Sequence, residues 1–148
     1  MTTTLIYAAW LFAGLVLGLV FVRVAARFGA RTERVIYAVG LVVVAAVDPV
    51  LAGASGADDW FATEVVAAIA FAVLAVLGLI RSPLWLSGGW VLHAAWDSPV
   101  HLASTGSTFV PVAYILACAG FDLVVALGIY LRFRRRTRAI GDERAEAG

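Results

Sequence analysis

Residues 60–103 read WFATEVVAAIAFAVLAVLGLIRSPLWLSGGWVLHAAWDSPVHLA. The run at 60–80 is apolar apart from Thr63 and Glu64, and it has the length of a helix that crosses a bilayer, about 20 residues. The three residues Arg81, Ser82 and Pro83 interrupt it, and a second apolar run follows to 103. A continuous apolar run cannot be a barrel strand, which must alternate. In lipid, only a helix satisfies its own backbone groups. The stretch therefore predicts two transmembrane helices joined by a tight, arginine-bearing turn.

The rest of the chain repeats the pattern. Apolar runs at 4–24, 34–52 and 109–133 complete five predicted spans, with 60–80 and 83–103 as the third and fourth. The composition agrees: 63% of residues are hydrophobic and 14% are charged, against about 45–50% and 25% in soluble domains. The fold class expected is all-α, a polytopic five-helix bundle in one domain (1–133). A short basic segment and a disordered tail (134–148) follow it.

Basic charge is distributed unevenly. All 11 basic residues are arginine. Arg23, Arg27, Arg31 and Arg34 lie between the first two spans, Arg81 between the third and fourth, and Arg132, Arg134, Arg135, Arg136 and Arg138 after the fifth. The alternate loops, LAGASGADDW and LASTGSTF, carry no basic residue. The positive-inside rule then places the N-terminus outside and the C-terminus in the cytoplasm. The basic run RFRRRTR is expected to lie against anionic lipid. No nucleic-acid motif is present. The first apolar run precedes its arginines, so it reads as a spanning helix rather than a cleaved signal. The single cysteine, Cys118, sits in an apolar run and is expected to pack as a thiol rather than act as a nucleophile.

Charged groups at the centre of a bilayer are costly, about 2.5–3.5 kcal/mol each on insertion scales. This chain nevertheless places Asp48, Glu64, His93, Asp97, His101 and Asp122 within or at the edge of spans. His93, Asp97 and His101 stand at i, i+4 and i+8, on one helical stripe with Trp90. Each step moves about 6 Å along the axis, with His101 nearest the arginine-free side. Asp122 falls near mid-membrane on the fifth span. Asp48 and Glu64 are expected about one turn inside the arginine-free edge, near the mouth of a cavity whose deep end is His93. Pro99 either kinks the fourth span one turn back, near Ala95, or ends it early as a turn at 97–99. AAVDPVLA (45–52) resembles AAWDSPVHLA (94–103), which would fit a duplicated hairpin. Gly14 and Gly18 form a small-xxx-small pair suited to close helix packing or to a homo-oligomer seam.

Four functions are compatible with this constellation. Buried polar groups can simply join helices. They can be an acid–base site for a lipophilic, isoprenoid-like substrate. Asp97 or Asp122 would then be the proton donor, with His93 and Glu64 assisting. Trp90, Trp96, Tyr114, Asp48, His101, Trp60 and Trp10 would line the substrate path, and no cofactor would be needed. Aromatic faces there would stabilise a carbocation. They can hold zinc through His93, Asp97, His101 and Asp122 in a membrane hydrolase, although no HExxH motif is present. They can also carry protons or a small substrate across the membrane. An interfacial aromatic belt is the alternative for Trp10 and Trp60.

The motifs W-x-L-H-A-x-W-D-x-x-x-H (90–101) and P-x-x-Y-x-x-x-C-x-x-F-D (111–122) resemble those of a family of short bacterial five-helix membrane proteins without known function. The resemblance covers Glu64, Trp90, His93, Trp96, Asp97, His101, Tyr114, Cys118 and Asp122. It implies a multi-pass protein of the bacterial inner membrane but no chemistry. In type of site alone, buried carboxylates among tryptophans in a small helical bundle, the chain is similar to membrane-integral terpene cyclases and sterol isomerases.

Overall fold

A computed structural model describes residues 2–102 and 109–146. Among these residues the structure is helical: α1 (Thr2–Ala25), α2 (Ala30–Ala45), α3 (Val47–Ser55), α4 (Asp58–Ile80), α5 (Pro83–Ala95), a π-helical turn (Trp96–His101) and α6 (Val112–Glu146). Four segments are long and apolar enough to cross a membrane: Thr3–Ala25, Ala30–Ser55, Asp58–Ile80 and Val112–Glu143. The remaining apolar segment is α5 continued by the π turn.

Local chemistry sets the boundaries. The Ser82 hydroxyl accepts from the Leu84 amide (3.3 Å), and Pro83 occupies the first turn of α5. Asp58 and Asp59 sit at the N-terminus of α4, where the helix dipole favours negative charge. Gly56, at φ 73°, ends α3, in a left-handed conformation that other residues adopt at a cost. Pro111 precedes α6, so that helix begins at Val112 rather than at 109.

The second expected span is broken. Pro49 has no amide hydrogen to give to the Ala45 carbonyl and crowds it. The chain accordingly divides at Ala46 into α2 and α3. The fourth span neither kinks simply nor ends as a turn at Pro99. It widens into π-helix from Trp96. The two breaks are alike, because Asp48 and Asp97 are each the second residue after one of them. The likeness between the two hairpins goes little further, since α4 packs on α5 whereas α1 packs chiefly on α6. The expected end of the fourth span, at 103, lies outside the described residues.

The tail also differs from expectation. Helix α6 runs on through Glu146 instead of giving way to irregular chain after residue 133. Extending an existing helix avoids the nucleation cost, and Arg, Ala and Glu are good helix formers.

Two apolar clusters hold the bundle. The larger includes Tyr37, Leu41, Phe71, Leu86, Trp90, Val125 and Ile129. The smaller, Ala52, Phe109, Val110 and Ile115, closes the arginine-free end beside Trp60 and Tyr114. Gly14 and Gly18 face α6 in the same chain: a β-carbon at Gly14 would overlap the Ala117 carbonyl, and one at Gly18 would come within 2.8 Å of the Phe121 oxygen. Helix α6 is thereby fixed backbone to backbone against α1, one residue from Asp122.

Candidate functional site

Seven acidic or histidine side chains are buried among the described residues, and six of them gather toward the arginine-free half of the bundle. They form two linked groups. His93, on α5, is the hub of the first. Its Nδ1 lies 2.9 Å from Asp122 Oδ2, on α6, and 3.6 Å from Asp97 Oδ2, in the π turn. Its Nε2 lies 4.0 Å from Asp48 Oδ2, on α3. The Phe71 ring meets the imidazole edge-on at 5.0 Å. Glu64, on α4, is the hub of the second group. One carboxyl oxygen lies 2.9 Å from His101 Nε2, and the other accepts from the Trp96 indole N–H at 3.1 Å. Trp60 and Phe109 pack on the His101 ring at 5.8 and 5.7 Å.

Four carboxyls (Asp48, Glu64, Asp97 and Asp122) and two histidines make up the two groups. Even with both imidazoles protonated, four ionised carboxylates would leave two uncompensated negative charges out of water. Such charge is expensive to bury. The excess must be met by shared protons or by a cation. Several buried atoms have no hydrogen-bond partner among the described residues: Asp48 Oδ1, His93 Nε2, both Asp97 oxygens, His101 Nδ1 and Asp122 Oδ1. Buried polar atoms are rarely left so in a purely structural network. With Nδ1 engaged by Asp122, His93 directs Nε2 at the Asp48 side, where it can take a proton or bind an ion.

The structure brings His93, Asp97 and Asp122 together and adds Asp48 to them. Asp48 therefore joins the deep group around His93, because the α2–α3 break turns it inward. His101 turns its Nε2 to Glu64 rather than to a carboxyl of the His93 group, since the 100° α-helical step does not hold through the π turn. The zinc set expected from sequence changes accordingly. The described residues whose ligand atoms lie within 4.8 Å of one another are Asp48, His93 and Asp97. Trp96 and Trp60 belong to the Glu64 group. Trp90 is buried below it, against Phe21 and Phe121. Tyr114 lies against the small apolar cluster. Trp10 stays outside the site, 46% exposed on α1, which fits an interfacial aromatic.

Four cavities open on the described residues, and His93, Asp97 and Asp122 line none of these four. The one nearest the site is an apolar groove of about 620 Å³ between α4 and α5. Thr63, Val66, Ala70 and Leu92 line it, and Phe71 and Trp96 form its inner wall. Those two rings touch His93 and Glu64 respectively. That groove opens on the side of the bundle, with Phe71 and Trp96 between it and the acid–base groups.

Glu33 is a buried charge that spacing arguments overlooked. It lies at the arginine end, 3.1 Å from Arg132 and paired also with Arg136, and it accepts from the Tyr37 hydroxyl at 3.1 Å. It falls one residue before the span expected to start at 34. Its signal in the sequence is that it stands alone as an acid among Arg23, Arg27, Arg31 and Arg34.

Residues 9–135 match a sequence family described as a family of unknown function (DUF6010). The chain belongs to this family. The match spans all five apolar segments and both groups of the site. No curated protein and no solved structure gives a significant match. Membership in a family without assigned function is as the motifs led one to expect.

Glu64 gives a local prediction. The Trp96 indole nitrogen only donates, so a glutamine at 64 must turn its oxygen to Trp96 and its amide to His101. Glu64→Gln is expected to lower unfolding free energy by about 1–3 kcal/mol, the value of hydrogen bonds to a charged group. Glu64→Ala is expected to cost more, because it leaves both partners buried and unmatched. Thermal unfolding in detergent measures both, and no loss in either variant would show that the pairing carries no energy.

Proposed function

We propose that this chain is a membrane-embedded acid–base enzyme acting on a lipophilic, isoprenoid-like substrate. Its N-terminus would lie outside and its arginine-rich end in the cytoplasm of a bacterial inner membrane. The observation that carries the reading is the contact between the two parts just described. A fully buried His–carboxylate cluster with unmatched polar atoms is separated from an apolar, side-opening groove by only two aromatic rings, Phe71 and Trp96. A lipid chain reaches such a groove directly from the bilayer.

The chemistry follows from the groups present. Once a substrate double bond has displaced the Phe71 ring that covers His93, a protonated carboxyl, Asp97 or Asp122, gives its proton to one of its carbons. The cation formed on the other carbon lies against the π faces of Trp96 and Phe71. It loses a neighbouring proton to His93 Nε2, either at once or after a second double bond of the same chain has attacked it and moved the cation to a new carbon. The product is an isomer of the substrate, and the borrowed proton returns through the His93–Asp contacts. Apolar walls exclude the water that would otherwise quench the cation. Comparison of lipid extracts from cells producing the wild-type chain and the Asp97→Asn chain tests the proposal. A species of unchanged mass and altered retention is expected with wild type only. Identical profiles from two folded proteins would count against it.

A second reading is favoured by the mutual reach of Asp48, His93 and Asp97. Those residues would hold zinc, with Asp122 orienting His93 from outside, and the bound ion would activate water for hydrolysis. Elemental analysis separates the readings. Zinc at one equivalent, lost in Asp48→Asn, selects the hydrolase. Metal-free protein that still isomerises lipid selects the acid–base enzyme.

A further inference from the structure

The opposite end of the bundle holds a second candidate site. A cavity of about 190 Å³ opens between α2, α5 and α6. Arg34, Arg132 and Arg136 line its polar rim, and Pro83, Leu86, Ile129 and Phe133 line its apolar wall. The one acid in it, Glu33, is 2% exposed and already engaged by Arg132 and Arg136. Three guanidinium groups against one carboxylate leave the rim with net positive charge. Each guanidinium has five N–H donors, so one contact with Glu33 leaves most of them for another acceptor. Arg34 donates to the Leu79 carbonyl at a long 3.4 Å.

Arg132 and Arg136 also line a second cavity, between α1 and α6, together with Arg23 and Arg135. The same two arginines therefore face openings on both sides of α6. Glu33 and the Tyr37 hydroxyl bonded to it act as the brace that holds these side chains in place.

We infer that the Arg34–Arg132–Arg136 cavity binds the phosphate headgroup of an anionic phospholipid, with the lipid's first acyl carbons against Pro83 and Phe133. Charge complementarity selects an anion, and the planar fork of arginine suits phosphate oxygens. The apolar wall beneath the rim selects an anion attached to a hydrocarbon chain over a free one. Basic pockets between transmembrane helices recognise lipid headgroups in this manner. The site is distinct from the His93 cluster and does not depend on what that cluster does.

The test uses the full chain in neutral detergent, with thermal unfolding followed as phosphatidylglycerol, phosphatidylcholine or inorganic phosphate is added. Phosphatidylglycerol is expected to raise the midpoint in a saturable way at concentrations where the other two do nothing. Arg34→Gln is expected to weaken that response about tenfold, the effect of losing one charged hydrogen bond, and to leave the lipid-free midpoint unchanged. Arg23→Gln, which alters only the cavity on the far side of α6, is expected to leave the response intact. An equal response to phosphatidylcholine would overturn the inference, as would an equal response to inorganic phosphate. Equal weakening by the two variants would also overturn it, since that is the mark of diffuse charge attraction.

Discussion

His93→Leu is expected to be the most damaging single substitution in this chain. The leucine fills similar space, so little packing is lost. What goes is the only basic group within 4.0 Å of Asp48, Asp97 and Asp122 among the described residues. Breaking a buried pair by deleting one partner costs about 3–5 kcal/mol, because the other charge stays buried without compensation. Against a total stability of about 5–15 kcal/mol, that removes a large share. The expected result is a sharply lowered unfolding midpoint in detergent, or failure to recover folded protein. A paired variant keeps the prediction testable in either case. His93→Leu combined with Asp122→Asn removes the charge that His93 contacts most closely, and it is expected to recover part of the loss. A loss below about 1 kcal/mol for His93→Leu, the size of an ordinary neutral hydrogen bond, would mean that the imidazole does not balance the carboxyls.

The second large effect is expected at Gly14. A β-carbon there would overlap the Ala117 carbonyl, and one at Gly120, across the same seam, would sit 2.5 Å from the Leu11 oxygen. Backbone cannot give way as a flexible side chain can. Overpacking ordinarily costs about 1–3 kcal/mol, and Gly14→Leu is expected at or above the top of that range. The consequence reaches the site. Gly18 packs on Phe121, the neighbour of Asp122, so moving α6 off α1 draws Asp122 away from His93. Gly14→Leu should therefore lose stability and function together. Gly88, inside α5 with open space around its position, is the control, and Gly88→Ala should keep function and raise stability by about 0.5–1 kcal/mol. A Gly14→Leu protein with unchanged midpoint would show that the α1–α6 seam is looser than described.

The helical architecture was legible because lipid leaves a chain few options. Long apolar runs must be helices, and Arg81 with Ser82 and Pro83 marks a turn as plainly as any cap. The six ionisable groups were legible for the same reason, since each is costly where it stands. Their arrangement was less so. Placing Asp48 near the edge assumed a straight second span, whereas Pro49 divides that span and aims Asp48 at His93. Placing His101 on the His93 stripe assumed a uniform 100° step, and the π turn removes that uniformity. Glu33 was hidden by a boundary drawn one residue too late. Trp10 was assigned to the site by its depth alone, and depth says nothing about which way a helix faces. The misses at Asp48 and His101 share a cause: periodicity describes one regular helix, and the site is built where helices are irregular.

The central claim is that the His93 cluster moves protons to and from a lipid. It is tested most directly by isotope transfer. Purified protein is reconstituted into phosphatidylcholine vesicles containing long-chain polyprenols, equilibrated in deuterated water, and the lipids are analysed by mass spectrometry. Wild-type protein is predicted to yield an isomer bearing one deuterium, because donor and acceptor are different groups and the donor has exchanged with solvent. Folded Asp97→Asn protein is predicted to yield none. Polyprenols recovered unlabelled and unchanged from vesicles holding folded wild-type protein would contradict the account.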